Sequence, residues 1–106
     1  MNQLEVSVQE LQAMKESGAD IFILDVRDQW EFDKCNLGGH LIPIKELPER
    51  LHELNPNQHI IVHCQMGGRS SRAATFLREH GFKQVSNLTG GIKAWATEID
   101  PNMEQY

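Results

Sequence analysis

Apolar residues alternate along the chain between short continuous runs and segments of helical spacing. The runs at residues 21–26 and 59–63 predict strands, and a strand with an apolar interior on both faces is typical of a parallel sheet. A shorter segment at 41–44 predicts a strand at a sheet edge or a strand end, because its Pro43 cannot donate a ladder hydrogen bond. A last short strand is predicted to begin at Val85.

Five segments are predicted as helices, and four of them have apolar residues three or four positions apart, as in amphipathic helices. The first follows a capping box at residues 7–10 and ends near Gly18, and the second is a short helix capped by Asp28. The third begins near Pro48 and is broken at 55–57, the fourth covers 70–80, and the fifth follows 90–91 and stops at Pro101. Their apolar faces contain Val8, Leu11 and Met14; Leu47, Leu51 and Leu54; Ala73, Ala74, Phe76 and Leu77; and Ile92, Trp95 and Ile99.

The alternation of strands and helices predicts the fold class. It favours an α/β domain of three layers, with a mostly parallel sheet of about five strands and helices on both faces. The length of 106 residues suits one domain over 1–106, with a single core. We expect Trp30 and Trp95 to be core or packing residues and the tail to Tyr106 to be loosely held.

Charge and hydropathy exclude several classes of function. The net charge of −5 and the absence of a basic stripe argue against nucleic-acid binding. The apolar runs are too short to span a bilayer, and we expect no membrane association. Residues 1–5 have neither a basic start nor an apolar core, so we expect no signal peptide and a cytoplasmic location.

The two cysteines, Cys35 and Cys64, form neither a disulfide framework nor a Cys-x-x-Cys pair. The five histidines are scattered without the spacing of metal ligands, so we expect no zinc site. A free cysteine thiol is therefore available for chemistry.

Cys64 follows the strand at 59–63 and precedes the helix at 70–80. Ligand sites of open parallel sheets lie beyond the carboxyl ends of the strands, and a helix N-terminus stabilises anions with free N–H groups. Gly67 and Gly68 allow the loop to curl its N–H groups inward, and Arg69 adds a fixed positive charge. The sequence thus predicts a thiolate or persulfide with a lowered pKa at Cys64.

The spacing from Cys64 to Arg69 separates two chemistries. Cysteine phosphatases resemble this arrangement but place arginine six positions after cysteine, in a loop that encloses a tetrahedral phosphate. Here arginine comes five positions after Cys64, and position six is Ser70. The shorter loop resembles that of rhodaneses, whose pocket suits the extra sulfur of a persulfide.

Three motifs in the same order extend this resemblance to the rhodanese-like family over nearly the whole chain. Residues 25–32 (DVRDQWEF), 64–70 (CQMGGRS) and 88–95 (LTGGIKAW) are similar to the family's Asp-Val-Arg, active-loop and Gly-Gly-x-x-x-Trp signatures. The chain departs from the usual His-Ile-Pro-Gly-Ala at residues 36–40 (NLGGH). With residues 98–101 (EIDP), this variant resembles rhodanese domains attached to adenylyltransferases of molybdopterin and thiamine biosynthesis, which pass sulfur to a ubiquitin-like carrier protein.

The resemblance implies a sulfurtransferase that moves a sulfane sulfur from a donor such as thiosulfate to a thiophilic acceptor through a Cys64 persulfide. The acceptor would be a thiol or a ubiquitin-like sulfur carrier, and no metal or organic cofactor is required. In this scheme Cys64 is the nucleophile, and the loop binds the substrate. The substrate-binding residues are Gln65, Met66, Gly67, Gly68 and Arg69, and the residues that support the site are Asp25, Arg27 and Ser70.

Several alternatives stay open at this point. His63 is a candidate general base, although successive side chains of a strand point to opposite faces. Cys35 is a spectator unless it lies close to Cys64. Arg27 is predicted to pair with Glu31. A protein-interaction or sulfur-relay module is a second functional hypothesis, and a cysteine phosphatase or arsenate reductase is a third.

Overall fold

A computed structural model of the protein describes residues 3–106, so Met1 and Asn2 of the predicted 1–106 domain lie outside the described residues. The strands are β1 (Glu5–Val6), β2 (Ile21–Asp25), β3 (His40–Leu41), β4 (His59–His63) and β5 (Val85–Leu88). The α-helices are α1 (Val8–Glu16), α2 (Gln29–Lys34), α3 (Gly68–Glu79) and α4 (Gly91–Glu98), and two 3-10 helices cover Ile44–Glu49 and Leu51–Glu53. In this part of the chain, no helix is long and apolar enough to cross a membrane.

The five strands form one sheet in the order β1-β5-β4-β2-β3, and every neighbouring pair is parallel. The central pair, β2 and β4, is in register from Ile21 opposite His59 to Asp25 opposite His63. The carboxyl ends of these two strands therefore lie side by side, and the chain leaves them at Val26 and Cys64. The structure confirms the predicted α/β class and strand number.

The two faces of the sheet are covered by different helices. Ile60 and Val62 of β4 pack with α3 and the 3-10 segment, whereas Ile61 between them packs with α1 and α4. All three side chains are fully buried. This burial on both faces explains why β4 has no polar residue in its middle.

Helix ends follow the signals in the sequence. Ser7 accepts the N–H of Glu10, and the Glu10 carboxylate accepts the N–H of Ser7, which is the predicted capping box of α1. Before α2, the N–H of Asp28 donates to the Glu31 carboxylate at 2.9 Å. That contact fixes one oxygen of Glu31 at the start of the helix.

Local structure differs from the sequence-based expectations at two places. The segment from Pro48 to the break at 55–57, predicted as a helix, forms two 3-10 helices, Ile44–Glu49 and Leu51–Glu53. Pro48 lies inside the first of them, where its missing N–H removes a helical hydrogen bond. The predicted apolar face at Leu47, Leu51 and Leu54 still packs into the core. Trp95 is in the core, whereas Trp30 is 56% exposed and has the other expected role, since its ring packs against Tyr106. The short strand β1 was not predicted.

Candidate active site

The thiol of Cys64 lies in a cradle of hydrogen-bond donors between β4 and α3. Its Sγ accepts the backbone N–H of Gly67 at 3.1 Å, and the hydroxyl of Ser70 lies 3.4 Å away. The residue as a whole is only 2% exposed. The predicted anion cradle is therefore formed by the loop and the first turn of α3.

Opposing influences set the acidity of this thiol. Burial is the largest one and raises the pKa of Cys64, because it removes water from the thiolate. The side chain of Ser70 and the N–H groups of Ser70, Gly67 and Met66 all favour the thiolate, and together they outweigh burial. The net result is a pKa below the ordinary value for cysteine, which is the direction predicted from the loop.

Two glycines allow the loop to close. Gly67 has φ of +116° at the start of α3, a conformation that other residues rarely adopt. Gly91 has φ of +61°, and a side chain there would lie 2.4 Å from the carbonyl oxygen of Gln65. From the same turn, the N–H groups of Ile92 and Lys93 donate to the carbonyls of Cys64 and Gln65, each at 3.0 Å. The Gly-Gly motif thus attaches α4 directly to the reactive loop.

Arg69 is held by a carboxylate rather than left free at the mouth of the loop. Its Nη1 and Nη2 donate to the two oxygens of Glu31 at 2.7 and 2.8 Å. This pairing is the main cause that lowers the pKa of Glu31 to about 2. It connects the active loop to α2, and the substrate-binding role of Arg69 stays a prediction.

The predicted pairing of Arg27 with Glu31 is found only at the Glu31 backbone, where the carbonyl accepts from Arg27 at 3.3 Å. The carboxylate that the fully buried Arg27 binds is that of Asp25, with Nη2 at 2.6 Å and Nε at 2.9 Å from its oxygens. Asp25 lies at the end of β2, only two residues from Arg27, so the two side chains are close whether or not the following residues form a helix. The role of Asp25 and Arg27 as supports of the site stays a prediction.

The tail is docked, contrary to the expectation that it is loosely held. The hydroxyl of Tyr106 donates to Glu31 and accepts from Arg27 Nη1, both at 2.9 Å, and its ring packs edge-on against Trp30. Its carbonyl accepts the side-chain N–H of Gln65 at 2.8 Å. Burial is the largest of the influences that together raise the pKa of Tyr106 to about 12. Tyr106 therefore joins α2 to the active loop.

The other predicted loop residues differ in exposure. The side chain of Gln65 is directed to Tyr106, and that of Met66 is 62% exposed. Gly68 opens α3, with space around its Cα. These positions place Met66 at the surface of the loop, and its contact with a substrate stays a prediction.

His63 and Cys35 lie near the site without a hydrogen bond to Cys64 Sγ among the described contacts. His63 is fully buried, with Nδ1 3.4 Å from the carbonyl oxygen of Cys64 and Nε2 3.7 Å from Asp25 Oδ2. Burial is the main cause that lowers the pKa of His63, which favours a neutral ring. Cys35 is partly buried, and both cysteines are free thiols. Within residues 3–106, no group of three His, Cys, Asp or Glu side chains is arranged to hold a metal ion.

A comparison with known protein families decides the classification. The profile of the Rhodanese-like domain matches residues 7–98, which include all three motifs and the cradle around Cys64. The chain belongs to the rhodanese-like domain family. The resemblance stated from the sequence is confirmed.

Curated relatives include proteins named for sulfur transfer. This rhodanese-like chain is 36% identical over 97 residues to the putative sulfur carrier protein YrkF of Bacillus subtilis, covering 91% of this chain and 52% of that protein. It is 33% identical over 104 residues to the probable adenylyltransferase/sulfurtransferase MoeZ of Mycobacterium tuberculosis, covering 95% of this chain and 26% of that protein. The chain thus spans between a quarter and about half of the length of these relatives.

Solved structures have the same architecture. The human single-domain sulfurtransferase TSTD1 matches with a TM-score of 0.81 and 25% identity, covering 92% of this chain and 98% of that one. A rhodanese-related protein of Thermoplasma volcanium matches with a TM-score of 0.81 and 28% identity, covering 92% and 94%. The parallel sheet and its helices are therefore the rhodanese fold.

Three residues of the rhodanese site were not assigned to it from the sequence. Glu31 binds Arg69, Tyr106 binds Glu31, and Asn87 accepts the hydroxyl of Ser70 at 2.5 Å. Glu31 lies within the first motif, which was the available signal. Neither Asn87 nor Tyr106 has a local pattern that marks it, because their partners lie far away in sequence.

The Glu31 contacts predict a pH-dependent stability. With its folded pKa at about 2, below the unfolded value near 4.3, Glu31 contributes stability above the unfolded pKa. That contribution should be lost as pH falls from about 4 to about 2, and it amounts to on the order of 3 kcal/mol. Urea unfolding of wild type and Glu31→Gln between pH 7 and pH 2 measures it.

The two curves should converge at the acidic end, because protonated Glu31 and glutamine are both neutral. Glu46→Gln is the matched control, since it removes an exposed carboxylate paired with Arg50, and such surface pairs contribute at most about 1 kcal/mol. A constant difference between wild type and Glu31→Gln across the pH range would contradict the assignment.

Proposed function

We propose that this protein is a sulfurtransferase that moves a sulfane sulfur from a donor such as thiosulfate to a thiophilic acceptor through a persulfide on Cys64. The observation that carries the proposal is the thiol itself, held 3.1 Å from the N–H of Gly67 and shifted toward the thiolate. Family membership and the names of the relatives support the same class of reaction.

In the first half-reaction, the Cys64 thiolate attacks the outer sulfur of thiosulfate. A bond forms between Sγ and that sulfur, the sulfur–sulfur bond of thiosulfate breaks, and sulfite leaves with the electron pair. The product is a Cys64 persulfide anion. The inward N–H groups of the loop stabilise this anion as they stabilise the thiolate, which lowers the barrier for transfer.

In the second half-reaction, an acceptor nucleophile attacks the outer sulfur of the persulfide. The sulfur–sulfur bond breaks and its electron pair returns to Cys64 as the thiolate. Cyanide serves as the acceptor in an assay, and a thiol serves in a cell. With either acceptor the two steps balance without a redox partner, and they predict ping-pong kinetics. The activated C-terminus of a ubiquitin-like carrier is an electrophile: there the persulfide sulfur would attack the carbonyl and displace the activating group, and a reducing thiol would then open the resulting acyl disulfide.

The loop divides the work of binding between backbone and side chains. Gln65 to Arg69 bind the anionic donor, and the N–H groups of this stretch are the main donors, because the Nη atoms of Arg69 already bind Glu31. The positive charge of Arg69 still favours the approach of an anion. Asp25, Arg27 and Ser70 hold the loop in place. A reducing, cytoplasmic location, which preserves the thiol, is part of the same proposal.

Mass spectrometry of the protein after exposure to thiosulfate tests the persulfide directly. We expect one added sulfur on the peptide that contains Cys64, none on the peptide that contains Cys35, and loss of the added sulfur when cyanide is supplied. An aryl phosphate, tested in parallel, should not be hydrolysed. Absence of the adduct on Cys64 would favour a binding module instead.

A further inference from the structure

A chain of side chains runs from the reactive thiol to the first strand of the sheet. The hydroxyl of Ser70 lies 3.4 Å from Cys64 Sγ and 2.5 Å from Asn87 Oδ1. The amide nitrogen of Asn87 in turn lies 3.1 and 3.4 Å from the two carboxylate oxygens of Glu5. Ser70 is fully buried and Asn87 is 5% exposed, so water competes little for the contact between them, whereas Glu5 is exposed.

Glu5 decides which way the Asn87 amide faces. An ionised carboxylate only accepts hydrogen bonds, so the NH₂ group of Asn87 must face Glu5. The opposite end of the amide, the acceptor Oδ1, is then directed at Ser70. The hydroxyl of Thr89 also donates to Glu5, at 2.7 Å.

The hydroxyl of Ser70 has a single hydrogen and two acceptors within reach. When the hydrogen points to Asn87 Oδ1, a lone pair of Ser70 Oγ faces Cys64. This lone pair favours the neutral S–H group, which can donate to it. When the hydrogen points to Cys64 Sγ, the thiolate or persulfide anion is favoured and Asn87 loses its donor. The short contact to Asn87 shows that it competes effectively with the sulfur.

We infer that Asn87 and Glu5 are positioning residues for Cys64, which act by setting the direction in which the Ser70 hydroxyl donates its hydrogen. This inference rests on the proposed role of Cys64 as nucleophile. As a consequence, Asn87 competes with the sulfur for the hydrogen of the Ser70 hydroxyl. The pKa of Cys64 is therefore higher than the other donors and an uncontested Ser70 hydroxyl would make it.

A limit on how far the pKa of Cys64 is lowered suits a sulfur carrier. The intrinsic nucleophilicity of a thiolate falls as its pKa falls, so a thiol that is too acidic attacks a donor slowly. A hydroxyl that can turn between two acceptors gives hydrogen-bond support when the anion is present. Asn87 and Glu5 thus tune the balance between forming the thiolate and keeping it reactive.

The test is the pH dependence of Cys64 alkylation by iodoacetamide, in the absence of any sulfur donor. We expect Asn87→Ala to lower the pKa of Cys64 by about one unit, because it releases the Ser70 hydrogen to sulfur, and Ser70→Ala to raise it by a similar amount. The double variant should match Ser70→Ala, because Asn87 acts only through Ser70. Asn87→Ala leaves the charged and titratable groups around the thiol in place, so a change in the pKa of Cys64 is not due to the loss of a charge. These groups are Arg69, Glu31, His63 and Glu5.

Two further variants cover a failure of Asn87→Ala to fold. In Glu5→Gln, the new amide can face Asn87 with either its oxygen or its NH₂ group, so the variant should lower the pKa of Cys64 by less than one unit. Added to Ser70→Ala, it should cause no further change. If Glu5 acted on the thiol only through its charge, the change in pKa would persist in the Ser70→Ala protein. Thr89→Val is the matched control, because it removes a hydrogen bond to the same carboxylate and leaves the contact with Asn87, and it should leave the pKa unchanged.

The inference is overturned if Asn87→Ala and Glu5→Gln leave the pKa of Cys64 unchanged, or if they shift it equally with and without Ser70. Because alkylation needs no sulfur transfer, this outcome is distinct from a failure of the proposed function. That failure would appear as a wild-type protein that alkylates at Cys64 but never acquires sulfur from thiosulfate.

Discussion

Replacement of Cys64 by serine is expected to lower the rate of sulfur transfer from thiosulfate to cyanide by at least about 10³-fold. Serine keeps the size of the side chain, so the cradle formed by Gly67 and Ser70 should survive. A hydroxyl, however, is far less acidic than a thiol, and it cannot carry sulfane sulfur as a persulfide. The loss should fall on turnover, since the loop that binds the donor is intact.

Cys35→Ser is the matched control for this experiment, because it removes the other thiol of the chain. It should retain most of the wild-type rate. Sulfite release from thiosulfate, followed in a single turnover, separates the two half-reactions. Equal loss of activity in both variants would show that Cys35 takes part in the transfer, and unchanged activity in Cys64→Ser would exclude the proposed nucleophile.

Substitution of Gly91 by alanine should lower both stability and sulfur transfer. The new Cβ would lie 2.4 Å from the carbonyl oxygen of Gln65 and 2.7 Å from that of Cys64, and φ is +61°. Backbone strain and the overpacked contact together predict a loss of at least about 3 kcal/mol in the free energy of unfolding. Because the carbonyls that must move belong to the reactive loop, the thiol should also lose its aligned donors.

Gly18→Ala isolates the contribution of the backbone angle. Gly18 has φ of +72°, and nothing lies within 4 Å of the position where a Cβ would stand. It should cost about 1 to 2 kcal/mol and leave sulfur transfer unaffected. Urea unfolding and the thiosulfate assay measure both variants, and equal losses at the two glycines would show that the contact with the loop has no energetic weight.

The parts of the fold that could be predicted are those whose signal is local. The runs that form β2 and β4 and the glycine-rich start of α3 lie within short windows of sequence. The strand β1 could not be predicted, because two residues are too few to show a period. It pairs with β5, and Glu5 lies 82 residues from Asn87.

The site divides in the same way. Cys64 and its donors are contiguous, so the anion cradle follows from the order of residues alone. The partner of the Glu31 carboxylate does not follow from the order of residues. Arg27 lies four residues away and Arg69 lies 38 residues away, and both have the right charge to pair with it. Only the folded position of α2, which places the Glu31 carboxylate within 2.7 Å of Arg69, selects Arg69. Tyr106, 75 residues from Glu31, has no sequence signal of its contact.

The extent of the family match has a practical consequence for anyone who trims or transplants this domain. Residues 7–98 contain the cysteine, its loop and all three motifs. They omit Glu5, which orients Asn87, and Tyr106, which binds Glu31 and Gln65. A fragment cut at the family boundaries would keep the cysteine and the three motifs. It would lose Glu5 and Tyr106, two side chains that adjust the reactive centre.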